Sequence, residues 1–227
     1  MLKKKLVFIG LLFTLVICSS VFIPVQAAQE SGEGDLGFAD EAEFKEIIDN
    51  ILTLKENYPE DTEDTIIMRM DQQNLNETRG ISDIWNALTY SEKVLCIRYP
   101  FDALKVNQAK NIATSQTENK FGYNGLGDRS DAFRHGIWNA EMTVLIGKER
   151  AELFATAHED KDISGNEMDG YPKTAHKEMD LHNNEIGRNI GEINKNVSEG
   201  ERQILFIKIS ILKQQSLSGY MNEIKNK

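Results

Sequence analysis

Ser130-Asp131-Ala132-Phe133-Arg134-His135-Gly136-Ile137-Trp138-Asn139-Ala140-Glu141-Met142-Thr143-Val144-Leu145-Ile146 is the stretch that decides the fold. On a helix turning ~100° per residue, Asp131, Arg134, His135, Trp138 and Met142 share one side, with Asn139 at its margin. Phe133, Ile137, Ala140 and Val144 fall on the other side. Bulky apolar groups on both sides predict a helix buried nearly all round. Asp131 and His135 are then interior, where each needs a partner.

The flanking sequence is helical by the same test. Phe101 to Lys120, Lys148 to Glu159 and Thr174 to Ile193 carry helical patterns, and Phe44, Ile47, Ile48, Ile51 and Leu54 mark a helix over Glu41 to Asn57. Ser91-Glu92-Lys93 opens a short helix that Pro100 ends, and the glycine-dense Phe121 to Asp128 is a loop. Thr65 to Met70 fits helix or strand equally, while Asp71 to Gly80 reads as polar loop. Ile204 to Leu212 alternates like a strand, but the capping-box spacing of Ser198 and Glu201 favours a helix. The expected fold class is all-α: one compact multi-helix domain after a signal peptide and a flexible N-terminal segment. The expected divisions are a signal peptide over 1–27, a Gly- and Glu-rich linker over 28–40, an N-terminal helix with loops over 41–80, and a helical domain over 81–227 that holds the polar residues.

Met1 to Lys5 is basic, Leu6 to Phe22 is largely apolar, and Val25-Gln26-Ala27 places small residues where a signal peptidase reads. The expectation is secretion with cleavage after Ala27 and no stable membrane anchor afterwards. Cleavage removes Cys18 and leaves Cys96 in an apolar stretch, as a buried thiol without a disulfide partner. Lys and Arg number 26 against 36 Asp and Glu, for a net charge of -10. Lys3, Lys4 and Lys5 lie in the leader, so the mature chain is more acidic still. Such a surface disfavours nucleic acid or anionic lipid bound through charge.

All four histidines lie between positions 135 and 182, among acids and amides. On the last of these helices His176, Asp180, Asn183, Asn184 and Gly187 align, while His182 falls away from that face. On the middle helix Ala151, Phe154, Ala155 and His158 align. Three helices thus each turn one histidine towards a shared interior. The structural alternative is a buried polar network that pins helix register.

The string from Asp131 to Ala140, the Ala157-His158-Glu159 triplet and Met179-Asp180-Leu181-x-Asn183-Asn184-x-x-Gly187-Arg188 together resemble an uncharacterised bacterial domain family of secreted and toxin-like modular proteins. The resemblance covers about 91–190 and implies an all-helical domain. It also implies a central group of Asp131, Arg134, His135, Asn139, His158, Glu159, Asp180, Asn183, Asn184 and Arg188. His176 lies outside the matched strings. The family brings no established reaction.

Spacing excludes several familiar chemistries. His158-Glu159 begins a zincin-like pattern, but Asp162 stands where the second histidine belongs. No nucleophile elbow and no phosphate-cradling glycine loop occurs. Asp160-x-Asp162-x-Ser164-Gly165 copies half a calcium loop, with Tyr171 where a bidentate Glu is required. Hydrolysis is the reaction class these residues suit, with Asp131, His135, His158 and Asp180 as catalytic candidates. Arg134, Asn139, Glu159, Asn183, Asn184 and Arg188 are the substrate-binding candidates, the arginines for an anionic group. A divalent metal, zinc or calcium, is the expected cofactor: a metal held by His135, His158 and Asp180 would serve the same hydrolysis, and weak calcium binding is expected at Asp160, Asp162 and Ser164. The alternative is a secreted, non-enzymatic binding or interaction module whose polar cluster is structural. An enzyme needs the cluster to reach solvent; the module would seal it.

Overall fold

Phe44, Ile47, Ile48, Ile51 and Leu54 recur every third or fourth residue, and in a computed structural model they form the buried face of the first helix, α1 (Glu41–Asn57). The structure describes residues 41–74, 79–198 and 201. The expected leader and linker over 1–40 and the helix expected over 204–212 lie outside the described residues. Seven helices follow: α2 (Glu63–Asn74), α3 (Arg79–Ala87), α4 (Tyr90–Arg98), α5 (Pro100–Phe121), α6 (Arg129–Ile146), α7 (Lys148–His158) and α8 (Lys173–Ile193). Among the described residues there is no strand, and the pair Asn166 and Pro172 forms an isolated bridge in the α7–α8 loop. The fold is all-α, as the periodicity predicts.

Local chemistry sets the helix ends. The Thr89 hydroxyl accepts the Glu92 amide at 3.0 Å while the Glu92 carboxylate accepts the Thr89 amide at 2.8 Å, closing a capping box on α4. Pro100 stands at the first position of α5, where its missing N–H costs nothing. Asp128 caps α6 by accepting the amides of Ser130 at 2.7 Å and Asp131 at 3.1 Å. That cap starts the buried helix one residue before Ser130.

One stretch left open is decided, and another differs from expectation. Thr65 to Met70 is helix, because Ile66, Ile67 and Met70 turn one face inward. Asp71 to Gly80 is not simply loop: α2 runs on to Asn74, and α3 begins at Arg79. Burial explains this. Ile81, Trp85 and Leu88 are buried one helical turn apart, and Trp85 donates its indole N–H to Asp71 at 2.7 Å, tying α3 to the end of α2.

One apolar cluster runs through all the layers, from Phe44 and Trp85 through Cys96, Phe133, Ile137 and Phe154 to Ile190. Cys96 is buried and unpaired, and burial pushes its thiol up, away from reactivity. No helix among the described residues is long and apolar enough to cross a membrane. At the centre, α6 packs on α5, α7 and above all α8. The α6–α8 approach depends on glycine. A Cβ at Gly187 would stand 2.3 Å from the Gly136 carbonyl oxygen, and one at Gly191 would stand 2.4 Å from that of Ala140. Such closeness lets short polar side chains on the two helices meet directly.

Candidate functional site

The site begins in the glycine loop before α6. Gly127 donates its amide to Asp131 Oδ2 at 2.7 Å, and Arg134 donates to Asp131 Oδ1 at 2.7 Å and to the Gly125 carbonyl at 3.2 Å. Asp131 is thereby fixed from both oxygens. Gly127 has φ +67, and a Cβ there would stand 2.6 Å from the His176 ring, so the loop needs glycine for both reasons. His176 in turn holds Asp169 of the α7–α8 loop at 3.0 Å.

One turn along α6, His135 presents its two nitrogens to different surroundings. Nδ1 lies 3.2 Å from Asn184 Oδ1 and 3.6 Å from Glu159 Oε1. Nε2 lies 3.6 Å from Asp131 Oδ1 and 3.7 Å from Asp180 Oδ1. The amides assign the tautomer. Arg188 donates to Asn139 Oδ1 at 3.0 Å, so Asn139 turns its NH2 to the His135 carbonyl at 3.1 Å and to Asn184 Oδ1 at 2.6 Å. Asn184 then donates to Glu159 Oε1 at 3.3 Å, which leaves its carbonyl oxygen as the acceptor for His135 Nδ1–H. The Nε2 lone pair therefore points at two carboxylates.

Burial dominates the electrostatics. Loss of solvent, helped by Arg134, His158 and Lys161, pulls His135 down to about 3 against the attraction of Glu159, so the ring is neutral at pH 7. Desolvation and the charges of Asp131 and Glu159 hold Asp180 well above the ordinary carboxylate range. Desolvation also raises Asp131, although Arg134 and Gly127 oppose it. Asp180 Oδ1 is buried and accepts no hydrogen bond. His135 and Asp180 keep 9% and 12% of their side chains exposed, while Asp180 Oδ1 itself is buried.

Of the catalytic candidates, Asp131, His135 and Asp180 come together. Among the described residues they form a group of ligand-bearing side chains whose donor atoms all lie within 4.8 Å of one another. His158 sits beside this group, its ring 6.1 Å from that of His135 and 5.1 Å from that of Trp138. Its nitrogens turn elsewhere: Nδ1 meets Glu92 at 2.9 Å and Nε2 lies 3.2 Å from Lys161. His135, His158 and Asp180 thus do not converge as a set, whereas Asp131, His135 and Asp180 do.

Asn139, Glu159 and Asn184 line the Nδ1 side, and Asn183 is buried on α8. Arg134 and Arg188 are bound to protein groups, on Asp131 and Gly125 and on Asn139 respectively. The half calcium loop does not converge. Asp160 accepts from Ser91, Asp162 folds onto Ser164, and Asp169 holds His176, so these acids face three different partners.

Glu92 is the participant that sequence reasoning used only as a helix opener. The Thr89-x-x-Glu92 spacing signals the cap, but nothing in it signals His158, 66 residues away. Burial raises Glu92, and the charge and hydrogen bond of His158 together with the Thr89 amide outweigh that, holding it below its ordinary range.

A family model described as a domain of unknown function, DUF6973, matches residues 93–215, and the chain belongs to that family. The match spans more than half of the chain and contains Asp131, His135, Glu159, Asp180 and their amide partners. No curated protein and no solved structure matches the chain.

Proposed function

We propose that the chain is a hydrolase whose water-activating centre is the Nε2 side of His135, between Asp131 and Asp180. One observation carries this reading: the two sides of a single buried ring are finished differently. On the Nδ1 side His135, Asn184, Asn139 and Glu159 are joined in one hydrogen-bonded chain that Arg188 closes through Asn139 Oδ1, with Arg188 Nε left unbonded at its far end. On the Nε2 side a lone pair and a buried, unbonded carboxylate oxygen face each other 3.7 Å apart, on side chains that keep 9% and 12% of their surface exposed. A network that served only to pin the helices would complete both sides. Groups left incomplete inside a fold and beside solvent suit a reacting water. His135, held near 3, is a weak base by itself, so the water needs an electrophile as well.

The test is release of nitrophenol from chromogenic phosphate, carboxylate and glycoside esters by wild type and Asp180→Asn, with zinc and with chelator. Turnover of one probe class, reduced on the order of 100-fold or more in the variant, is expected. No turnover of any class, or equal turnover by the variant, would refute the reading.

A second reading has its own support. Asn139, Asn183 and Asn184 are fully buried, as a register-pinning network of an interaction module requires. The probe assay separates the two.

Export is proposed on sequence grounds alone, from the basic start, the apolar run and Val25-x-Ala27. N-terminal sequencing of secreted protein should begin at Ala28, and retention of Met1 would refute it. The acidic surplus likewise supports a substrate or partner other than nucleic acid.

A further inference from the structure

We propose that Asp131, His135 and Asp180 bind one divalent transition-metal cation, with zinc the best fit. The inference deepens the hydrolase reading, since the cation would be the electrophile that reading calls for, but the binding can be measured without turnover. It starts from atom types. His135 Nε2, Asp131 Oδ1 and Asp180 Oδ1 are acceptors in the tautomer that the amide chain assigns, and they converge with 3.6 and 3.7 Å between the nitrogen and each oxygen. Three acceptors turned to one point repel unless something positive lies between them. Arg134 bonds Asp131 and the Gly125 carbonyl, and Asp180 Oδ1 is buried without a hydrogen bond.

Separations and charge both fit a cation. In a tetrahedral zinc site with bonds near 2.0–2.1 Å, neighbouring ligand atoms stand about 3.3 Å apart. The two nitrogen–oxygen spacings exceed that by a few tenths of an ångström, and all the ligand atoms lie within 4.8 Å of one another, so that side-chain rotation would have to close the set. Asp131 and Asp180 together offer a divalent cation two carboxylates, whose formal charges it would cancel.

The outer contacts are those a metal-bound imidazole needs. The nitrogen away from the cation donates to Asn184, whose orientation is set by Asn139 and Glu159. Asp131 is oriented by Gly127 and Arg134. Three protein ligands leave a fourth position for water, the pattern of catalytic rather than structural zinc sites. Calcium is a poorer fit, because it takes six to eight oxygen ligands.

The full chain, stripped with a chelator and titrated with zinc chloride against a chromophoric competitor, should bind one cation with Kd below about 1 μM. Asp180→Asn and His135→Gln should each weaken this on the order of 100-fold or more. Both variants nearly preserve shape, and far-ultraviolet circular dichroism would establish that each is folded. His182→Gln, which removes a histidine outside the ligand set, should bind as wild type does. Cobalt(II) substituted for zinc should give visible ligand-field bands that Asp180→Asn alters. Absence of stoichiometric binding, or binding that Asp180→Asn and His135→Gln leave unchanged, would overturn the proposal. Zinc bound as described with no turnover of the chromogenic probes would leave the cation site standing and remove the hydrolase reading alone.

Discussion

The α1 stripe and the α6–α8 seam are both helix faces repeating every third or fourth residue, yet they are filled with opposite chemistry. On α1, Phe44, Ile47, Ile48, Ile51 and Leu54 bury apolar surface, each stabilising the fold by roughly 1.5–3 kcal/mol. Along the seam, Asp131, His135 and Asn139 of α6 meet Asp180, Asn184 and Arg188 of α8, where apolar residues would pack as well and need no partners. Glycines at 136 and 187 bring the helices close enough for these short side chains to touch. The first face gains stability from burial alone, whereas the second carries the desolvation cost of its polar groups, a cost that the proposed site would account for.

The largest effect is expected in the apolar region. Trp85→Ala opens a cavity in the α1–α3 layer and removes the indole donor to Asp71, so it should cost about 3–5 kcal/mol in urea denaturation. A loss below about 1 kcal/mol would show that this layer is not the source of stability.

Next comes the finished half of the seam. Asn139→Ala removes the acceptor of Arg188 and a donor to Asn184, leaving buried groups unpaired, and should cost about 1–3 kcal/mol. Zinc affinity should fall as well, by roughly 10–100-fold, because the amide that orients His135 loses its anchor. Loss of stability with unchanged affinity would separate the two halves of the seam energetically.

How much of this was legible beforehand depended on how far apart the interacting residues lie. Helices α1, α5, α6, α7 and α8 were legible to within about two residues at each end, because their apolar spacing persists for three turns or more. The α3 helix was not. Its nine residues give Ile81 and Trp85 too short a run to distinguish from the polar stretch before it. In the site, shared faces brought Asp131, His135 and Asp180 together correctly, since a helix wheel fixes direction. His158 shows the limit of that argument. Its face was legible, but its partner was not, because Glu92 arrives from another helix and is already used in a cap. The pairing of Asp169 with His176 was not legible for the same reason, Asp169 being a loop residue whose place depends on His176 and Gly127.

The smallest effects concern the unfinished half of the seam, and pH exposes them. Asp180 has its proton affinity raised in the folded chain, so between its ordinary value of 3.8 and its folded value the folded state binds a proton that the unfolded state has lost. Its contribution is fully present below pH 3.8 and declines as pH rises. Without metal, wild type should therefore lose stability relative to Asp180→Asn as pH increases from 4 to 8. Parallel profiles would show that Asp180 is not held uncompensated.

Equilibrium urea denaturation of wild type and Asp180→Asn at pH 8, with chelator and then with excess zinc, tests the central claim most directly. In chelator the variant should be the more stable by about 1 kcal/mol, because an amide replaces a buried carboxylate that lacks a partner. With zinc the order should reverse, because only the wild type gains strongly from binding. A variant that is less stable than wild type by about 1–3 kcal/mol in chelator, and unmoved relative to it by zinc, would mean that the seam is structural on both sides of His135.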